Sequence, residues 1–98
     1  MHAVIRRYQF DPRNSEEVNR KVRDILVPLV QKEPGFVGYY WLDTGEGVGA
    51  SVTVFEDEAG AEQSIRLAAD FAQQYLAGIV GKPEITKGTV QAHASGMR

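Results

Sequence analysis

Three consecutive aromatic residues, Tyr39, Tyr40 and Trp41, have the clearest potential of any in this sequence to bind a ligand. Their rings could line a pocket for a flat aromatic molecule, and the hydroxyls and the indole N–H could orient its oxygen atoms. In a strand, alternation would place Tyr39 and Trp41 on one face and Phe36, Gly38 and Tyr40 on the other. The alternative is that one face packs in the core and the other at an interface, because aromatic residues are common in both.

Histidine is the second source of chemistry, and the sequence has only His2 and His93. His93 could act as a general base on a phenol or an enol, because imidazole titrates near neutral pH. The alternative is an exposed histidine near the chain end. No carboxylate spacing accompanies the two histidines, so we expect no metal site. The absence of cysteine excludes disulfides, thiolate nucleophiles and cysteine-bound clusters.

Arg6 and Arg7 fall in the middle of an apolar segment that we predict to be a strand, so one of them should face a covered side. Alternation places Arg6 on the same face as Tyr8. A buried guanidinium needs a partner, which would be an acidic residue or an anionic group of a substrate. The acidic residues considered are Asp43, Glu56 and Asp70.

The composition indicates a single small globular domain over residues 1–98. A net charge of -2 is poor for binding a phosphate backbone, so we expect no nucleic-acid partner. No uncharged stretch is long enough to span a bilayer, and the first residues lack the pattern of a signal peptide. We therefore expect a cytoplasmic protein with no membrane partner.

Apolar periodicity predicts six elements in the order β-α-β-β-α-β. Strands are predicted over residues 3–10, 36–43, 48–55 and 84–93. The first helix should begin at Asn14, which has capping-box spacing with Glu17, and should bend at Pro28. Its apolar stripe comprises Val18, Val22, Ile25, Leu26 and Leu29. The second helix should begin at Asp57, a good N-cap.

This order predicts a ferredoxin-like α+β fold, with a four-stranded antiparallel sheet and two helices on one face. The strands over 36–43 and 48–55 carry apolar side chains on both faces, whereas two helices cover only one face. A soluble monomer does not tolerate an exposed apolar face of that size. We expect a second copy to pack on it, since two-fold homodimers are the commonest oligomers, and to close an α/β barrel.

Two segments carry a resemblance to a known family: PGFVGYY at residues 34–40 and VTVFED at residues 52–57, joined by the predicted hairpin. With the order of elements, they make the chain resemble the antibiotic-biosynthesis-monooxygenase-like small proteins of the dimeric α/β-barrel superfamily. Haem-degrading members of that superfamily use a histidine on the second helix and an asparagine on the first strand, and this sequence has neither. The resemblance implies a cofactor-independent monooxygenase for a small aromatic or polyketide-like substrate, with no cofactor.

The mechanism implied is removal of a proton from an electron-rich phenol, after which the bound anion reduces O2 in an apolar cavity that excludes water. For this role we expect His93 and Trp41 to be catalytic. The expected substrate-binding residues are Tyr8, Tyr40, Phe71, Tyr75 and Arg6. The alternative is a non-catalytic homodimeric domain that binds a small hydrophobic or aromatic ligand or has a regulatory role. The lack of a clear acid–base pair in the sequence favours that alternative.

Overall fold

The computed structural model of the protein describes residues 1–96. Its elements are β1 (His2–Gln9), α1 (Ser15–Lys21), a π-helical turn (Val22–Leu26), α2 (Val27–Gln31), β2 (Phe36–Asp43), β3 (Val48–Phe55), α3 (Glu58–Tyr75) and β4 (Glu84–Thr89). The strands form one antiparallel sheet in the order β2-β3-β1-β4, with the helices on one face. This confirms the ferredoxin-like α+β fold, although β4 ends before the predicted limit at residue 93. No helix within residues 1–96 is long and apolar enough to cross a membrane.

The first helical segment begins differently from the prediction. A 3₁₀ turn, Pro12–Asn14, precedes α1, and the Asp11 carboxylate caps this turn by accepting a bond from the Arg13 backbone N–H over 2.9 Å. The Asn14 side chain makes no capping bond, so the predicted capping box with Glu17 is wrong. The reason is that the chain reaches α1 from a turn that is already helical, which leaves no extended residue there to act as an N-cap.

The prediction for the start of the second helix is confirmed. The Asp57 carboxylate caps α3 by accepting a bond from the Gly60 N–H over 2.9 Å. The turn between β2 and β3 places Gly45 and Gly47 at φ values of 86° and 84°, a region that side chains disfavour.

A π-helical turn precedes Pro28, where the sequence predicts a bend. Proline lacks an N–H, and in an α-helix its ring clashes with the carbonyl four residues earlier. In the wider turn, the Val27 N–H bonds to the carbonyl of Val22, five residues earlier. The extra residue rotates the rest of the helix relative to the predicted stripe. Val30 is therefore buried, whereas Leu29, which was predicted to face the core, is 44% exposed.

A bulge near the start of β2 shifts its alternation by one residue. Phe36 pairs with Phe55, and Gly38 pairs with the adjacent Val54. Phe36 therefore lies on the helix-covered side, where its ring packs edge-on against Phe55 with centroids 5.8 Å apart. The prediction that Phe36 shares a face with Gly38 and Tyr40 is wrong for this reason.

The two faces of the sheet differ in polarity. On the face covered by helices, the central strands bury the polar side chains of Arg6, Ser51 and Thr53. On the uncovered face, the strands present apolar side chains. These are Ile5, Val52, Val54, Tyr40 and Leu42. The covered face thus buries polar side chains among its core residues, and the open face exposes apolar ones.

Candidate ligand cavity beneath the helices

A cavity lies between the covered face of the sheet and the helices. Cross-strand pairing brings its polar side chains into two neighbouring rows, because Ser51 pairs with both Arg6 and Trp41, and Thr53 pairs with Tyr39. The other lining residues are Tyr8, Val22, Leu26, Val30, Ser64, Leu67, Ala68, Phe71 and Leu76. The cavity is therefore polar along the sheet and mostly apolar beneath the helices.

Arg6 is the one charged residue among those of residues 1–96 that line the cavity, and it is only 4% exposed. Its Nε and Nη2 donate to the Tyr8 hydroxyl oxygen over 3.1 and 2.9 Å, and its Nη1 donates to the Ile65 carbonyl over 3.4 Å. Within the described residues, no carboxylate forms an ion pair with it. The acidic partners considered from the sequence, Asp43, Glu56 and Asp70, do not supply a counter-ion.

The Tyr8 hydroxyl is left as a hydrogen-bond donor. Its oxygen accepts two guanidinium N–H bonds, which occupy both of its lone pairs, so its O–H is free to donate elsewhere. Arg6 and Tyr8 together present donors to the cavity. Such a pair suits an oxygen atom that carries negative charge.

Burial raises the pKa of the Tyr39 phenol, and the nearby Ser51 hydroxyl and Arg6 guanidinium offset that effect only in part. A phenol with a raised pKa stays protonated at neutral pH and serves as a donor, not as a base. Within residues 1–96, the cavity lining holds no carboxylate and no imidazole. The cavity therefore offers donors to an oxyanion but no strong proton acceptor.

The cavity is small and only partly open in this conformation. Its volume is about 20 Å³, which is room for one or two molecules of the size of water or O2. An open cleft of about 380 Å³ by the same measure adjoins it, lined by Asn19, Val22, Arg23, Val27, Tyr39, Trp41 and Asp43. Three residues, Val22, Tyr39 and Trp41, border both spaces.

A chain of hydrogen bonds runs along the wall of this outer cleft. The Trp41 Nε1–H donates to Oδ1 of Asn19 over 2.7 Å, and Nδ2 of Asn19 donates to Oδ2 of Asp43 over 3.0 Å. Oδ1 of Asp43 accepts a bond from the Gly45 backbone N–H over 2.8 Å. The Gly45 bond and, after it, the Asn19 bond hold the pKa of the Asp43 carboxyl below its ordinary value of 3.8.

The structure brings together only some of the residues predicted for the site. Arg6, Tyr8, Trp41 and Phe71 line the cavity. Tyr75 does not, because it follows Phe71 by one helical turn and packs its ring against that of Phe71, with centroids 5.5 Å apart.

Tyr40 and His93 lie away from the cavity. Tyr40 is 70% exposed on the opposite face of the sheet, because it falls between Tyr39 and Trp41 in the alternation of β2. His93 is exposed and follows the end of β4 at Thr89. Neither residue lines the cavity, so His93 is not placed to act as a base on a ligand bound there.

Asn19 and the hydroxyls of Ser51 and Thr53 belong to the site but were not predicted for it. Asn19 precedes Trp41 by 22 positions in the chain, and only the packing of α1 on β2 joins them. Ser51 and Thr53 did leave a signal, because they alternate on a strand whose opposite face is apolar. That pattern is also typical of a solvent-facing side, so the sequence alone did not show that their face is covered.

The fold and the buried cavity define a small α+β protein with an internal amphipathic site. Residues 1–76 match the model of the family described as antibiotic biosynthesis monooxygenase. The chain therefore belongs to that family, which confirms the resemblance drawn from residues 34–40 and 52–57. The comparison with curated proteins finds no match.

Solved structures with the same fold include proteins of known and unknown function. A protein of unknown function from Nitrosomonas europaea has a TM-score of 0.81 and 22% identity, covering 99% of this chain and 95% of that chain. A monooxygenase from Streptomyces coelicolor, in complex with nanaomycin D, has a TM-score of 0.77 and 13% identity, with coverage of 98% and 92%. SnoaB, a cofactor-independent oxygenase from Streptomyces nogalater, has a TM-score of 0.67 and 16% identity, with coverage of 94% for both chains. At these identities the similarity shows the fold alone.

Proposed function

We propose that the protein is a cofactor-independent monooxygenase that binds a small phenolic substrate, aromatic or polyketide-like, as its anion beside Arg6. The observation that carries the proposal is a buried guanidinium in the cavity without a carboxylate partner within residues 1–96. A buried charge without a counter-ion destabilises a fold. An anionic ligand would supply that counter-ion, and the family is the context in which such a ligand would be a substrate.

Arg6 and Tyr8 would stabilise the ionised form of the phenol, because both present donors and neither offers a free acceptor. Among residues 1–96, the lining holds no carboxylate or imidazole to take the proton. The substrate is therefore expected to bind as the anion formed in solution, or to lose its proton to water through the outer cleft. Trp41 and Phe71 would hold the aromatic body, and the apolar residues of the helices would exclude water.

The oxidation can be written with O2 as the only other reactant. The phenolate transfers electrons to O2, and a new C–O bond forms at a ring carbon that carries hydrogen. The resulting peroxide breaks its O–O bond and releases water, so that this carbon becomes a carbonyl. The phenol oxygen becomes the second carbonyl of a quinone, and the balance is one phenol plus one O2 to one quinone plus one water.

The test uses 1-naphthol as the probe under ¹⁸O2, with oxygen consumption measured by electrode and the product by mass spectrometry. The expected product is a naphthoquinone that carries one labelled oxygen atom. Arg6→Met should lose turnover, whereas Arg7→Met should keep it, because Arg7 lies on the opposite face and pairs with Glu84 at the surface. Turnover at the wild-type rate in Arg6→Met would overturn the assignment of Arg6, and the absence of labelled quinone with wild type would overturn monooxygenation of this substrate class.

A second function is a non-catalytic binding domain for a small aromatic anion. The specific observation in its favour is the absence of a proton acceptor among the cavity residues described within 1–96. The two functions differ in one readout. A binding domain would take up 1-naphthol or 4-nitrophenolate in an Arg6-dependent manner without consuming O2.

We also infer that a second copy of the chain covers the open face of the sheet. Pairing across the strands aligns Ile5, Val52 and Tyr40 in one row, with Ala50 and Leu42 in the next. Exposed apolar patches of this kind mark interaction sites. A matching patch on an identical chain would form a two-fold interface. Native mass spectrometry at low micromolar concentration tests this inference, and a monomer would contradict it.

A further inference from the structure

We infer that Trp41 is a movable wall between the outer cleft and the inner cavity, and that Asn19 is a positioning residue that holds it closed. Ligands would reach Arg6 through the outer cleft when Trp41 swings away. The inference rests on the proposed function in one respect, which is that the inner cavity is where the ligand binds.

The inner cavity is too small for an aromatic ring. The inner cavity offers about 20 Å³, whereas a cavity of about 150 Å³ is known to hold one benzene ring. An aromatic ligand therefore cannot bind beside Arg6 until part of the wall moves. The outer cleft, at about 380 Å³, already has the necessary room.

Trp41 is the part of the wall that is best placed to move. Only Val22, Tyr39 and Trp41 border both spaces among the residues that line them. The Val22 side chain is small and fully packed in the core. Tyr39 and Trp41 are both partly buried, but Tyr39 lies in the middle of β2. Trp41 lies nearer the end of the strand and carries the largest ring of the three.

The position of the Trp41 indole ring depends on a glycine in the neighbouring strand. Trp41 lies against Gly49 of β3, where a Cβ atom would be 2.5 Å from Cη2 of Trp41 and 3.1 Å from Cε2 of Phe10. The ring can adopt this position only because residue 49 has no side chain. The Tyr8 ring lies nearby, with its centroid 6.3 Å from that of Trp41. In this position the indole closes the cavity on the side of the outer cleft.

Hydrogen bonds hold the indole ring of Trp41 in this position. The Trp41 Nε1–H donates to Asn19 on α1, and Asn19 donates in turn to Asp43 at the end of β2. Asp43 fixes the amide orientation of Asn19, because a carboxylate accepts only from the amide N–H side. A single neutral hydrogen bond between Trp41 and Asn19 makes a modest net contribution, so opening the wall requires little disruption.

The first experiment needs no ligand. Trp41 is the only tryptophan in the sequence, so its indole N–H gives one NMR signal and its emission reports one site. Asn19→Leu, which removes the acceptor at similar size, should speed indole N–H exchange and acrylamide quenching about five-fold. Arg20→Ala, an exposed change at the next residue, should leave both unchanged. Equal exchange in Asn19→Leu and wild type would overturn the role of Asn19.

The second experiment measures access, with stopped-flow quenching of Trp41 emission by 4-nitrophenolate. The ring cannot return to its closed position while an aromatic ligand fills the cavity, so Asn19→Leu should raise the association rate constant about five-fold, leave the dissociation rate constant unchanged and lower Kd by the same factor. A changed Kd with an unchanged association rate would make Asn19 a ligand contact and would overturn the inference. Failure of wild type to bind 4-nitrophenolate would count against the proposed function alone, because the exchange experiment tests Trp41 separately.

Gly49→Ala provides an independent variant. The added methyl group should displace the indole ring from its position against residue 49 while Asn19 is intact. Association of 4-nitrophenolate should then be faster, and acrylamide should quench Trp41 more strongly. Circular dichroism would check that the variant is folded. A folded Gly49→Ala protein with wild-type association and quenching rates would show that the ring does not close the cavity.

Discussion

The two faces of the same sheet depart from the usual arrangement in opposite ways. The face beneath the helices buries an arginine, a serine and a threonine, whereas the open face exposes 70% of Tyr40 and 51% of Leu42. Soluble proteins ordinarily bury apolar side chains and expose polar ones. Both departures reduce the stability of an isolated chain, since one buries a charge and the other leaves apolar area in water.

Each departure fits a different one of the two proposed partners. A buried cation with donors around it needs an anion, which would be a ligand small enough for the cavity. An open apolar sheet face needs a broad apolar surface, which would be the same face of a second chain. The two proposed functions, ligand binding and self-association, thus lie on opposite sides of β1 and β3. A substitution on one side should disrupt one function and leave the other intact.

The largest effect is expected on the open face. The double change Tyr40→Arg and Leu42→Arg should weaken self-association by about 3 kcal/mol or more, roughly 100-fold or more in the dissociation constant, because it buries unpaired charge in the interface. Sedimentation velocity over a dilution series measures this. Gln73→Arg, an exposed change on α3, is the control. Dimers of wild-type affinity in the double variant would show that this face is not the interface.

The next effect is expected on the covered face. Arg6→Met should reduce the affinity for 4-nitrophenolate by about 3 kcal/mol, roughly 100-fold, because charge-assisted donors are lost. The same change should raise the free energy of unfolding by about 1 kcal/mol, since it removes a buried charge without a carboxylate partner. Calorimetric titration and denaturant unfolding measure the two effects.

Two outcomes would contradict that interpretation of Arg6. A large loss of stability in Arg6→Met would show that the guanidinium has a structural role. Equal loss of affinity for the neutral analogue 4-nitroanisole would show that the charge of the ligand is not what Arg6 recognises.

Smaller effects on ligand binding and self-association are expected from substitutions at two adjacent residues of β3 that face opposite sides of the sheet. Thr53 faces the cavity and Val52 faces the open side, so Thr53→Val and Val52→Thr change the two faces with similar side-chain shapes. Thr53→Val should weaken 4-nitrophenolate binding about five-fold and leave self-association unchanged. Val52→Thr should weaken self-association by a similar factor and leave ligand binding unchanged. Crossed effects would show that the two faces are not independent.

The smallest effect is expected from pH. The folded-state pKa of Asp43 is below 3.8, so its contribution to stability is present above that value and is lost as the pH falls through the lowered pKa. Protonation weakens the bond from Asn19, and exchange of the Trp41 indole N–H, corrected for intrinsic rates, should then increase. Among the described residues that line the cleft, Arg23 is the other charged group. In Asn19→Leu the increase should be absent, and its persistence would separate Asp43 from the position of Trp41.

Much of the site was within reach of sequence reasoning, because alternation in a strand fixes which side chains share a face. It placed Arg6 with Tyr8 and Tyr39 with Trp41, and all four line the cavity. The bulge after Phe36 and the π-helical turn before Pro28 each added one residue to a regular pattern. These shifts misplaced Phe36 and Leu29, since neither irregularity leaves a clear mark on periodicity.

The sequence by itself determined the order of elements, the ferredoxin-like α+β fold and the family. The order of elements and the fold depend on local propensities and on periods of apolar residues, whereas the family rests on the resemblance carried by residues 34–40 and 52–57. Tertiary structure alone decided which face of β3 the helices cover, that Arg6 is buried without a carboxylate partner within residues 1–96, and that Asn19 reaches Trp41. The physical reason is that burial and pairing are properties of residues distant in the chain. Strand alternation defines two faces but does not say which one will be covered.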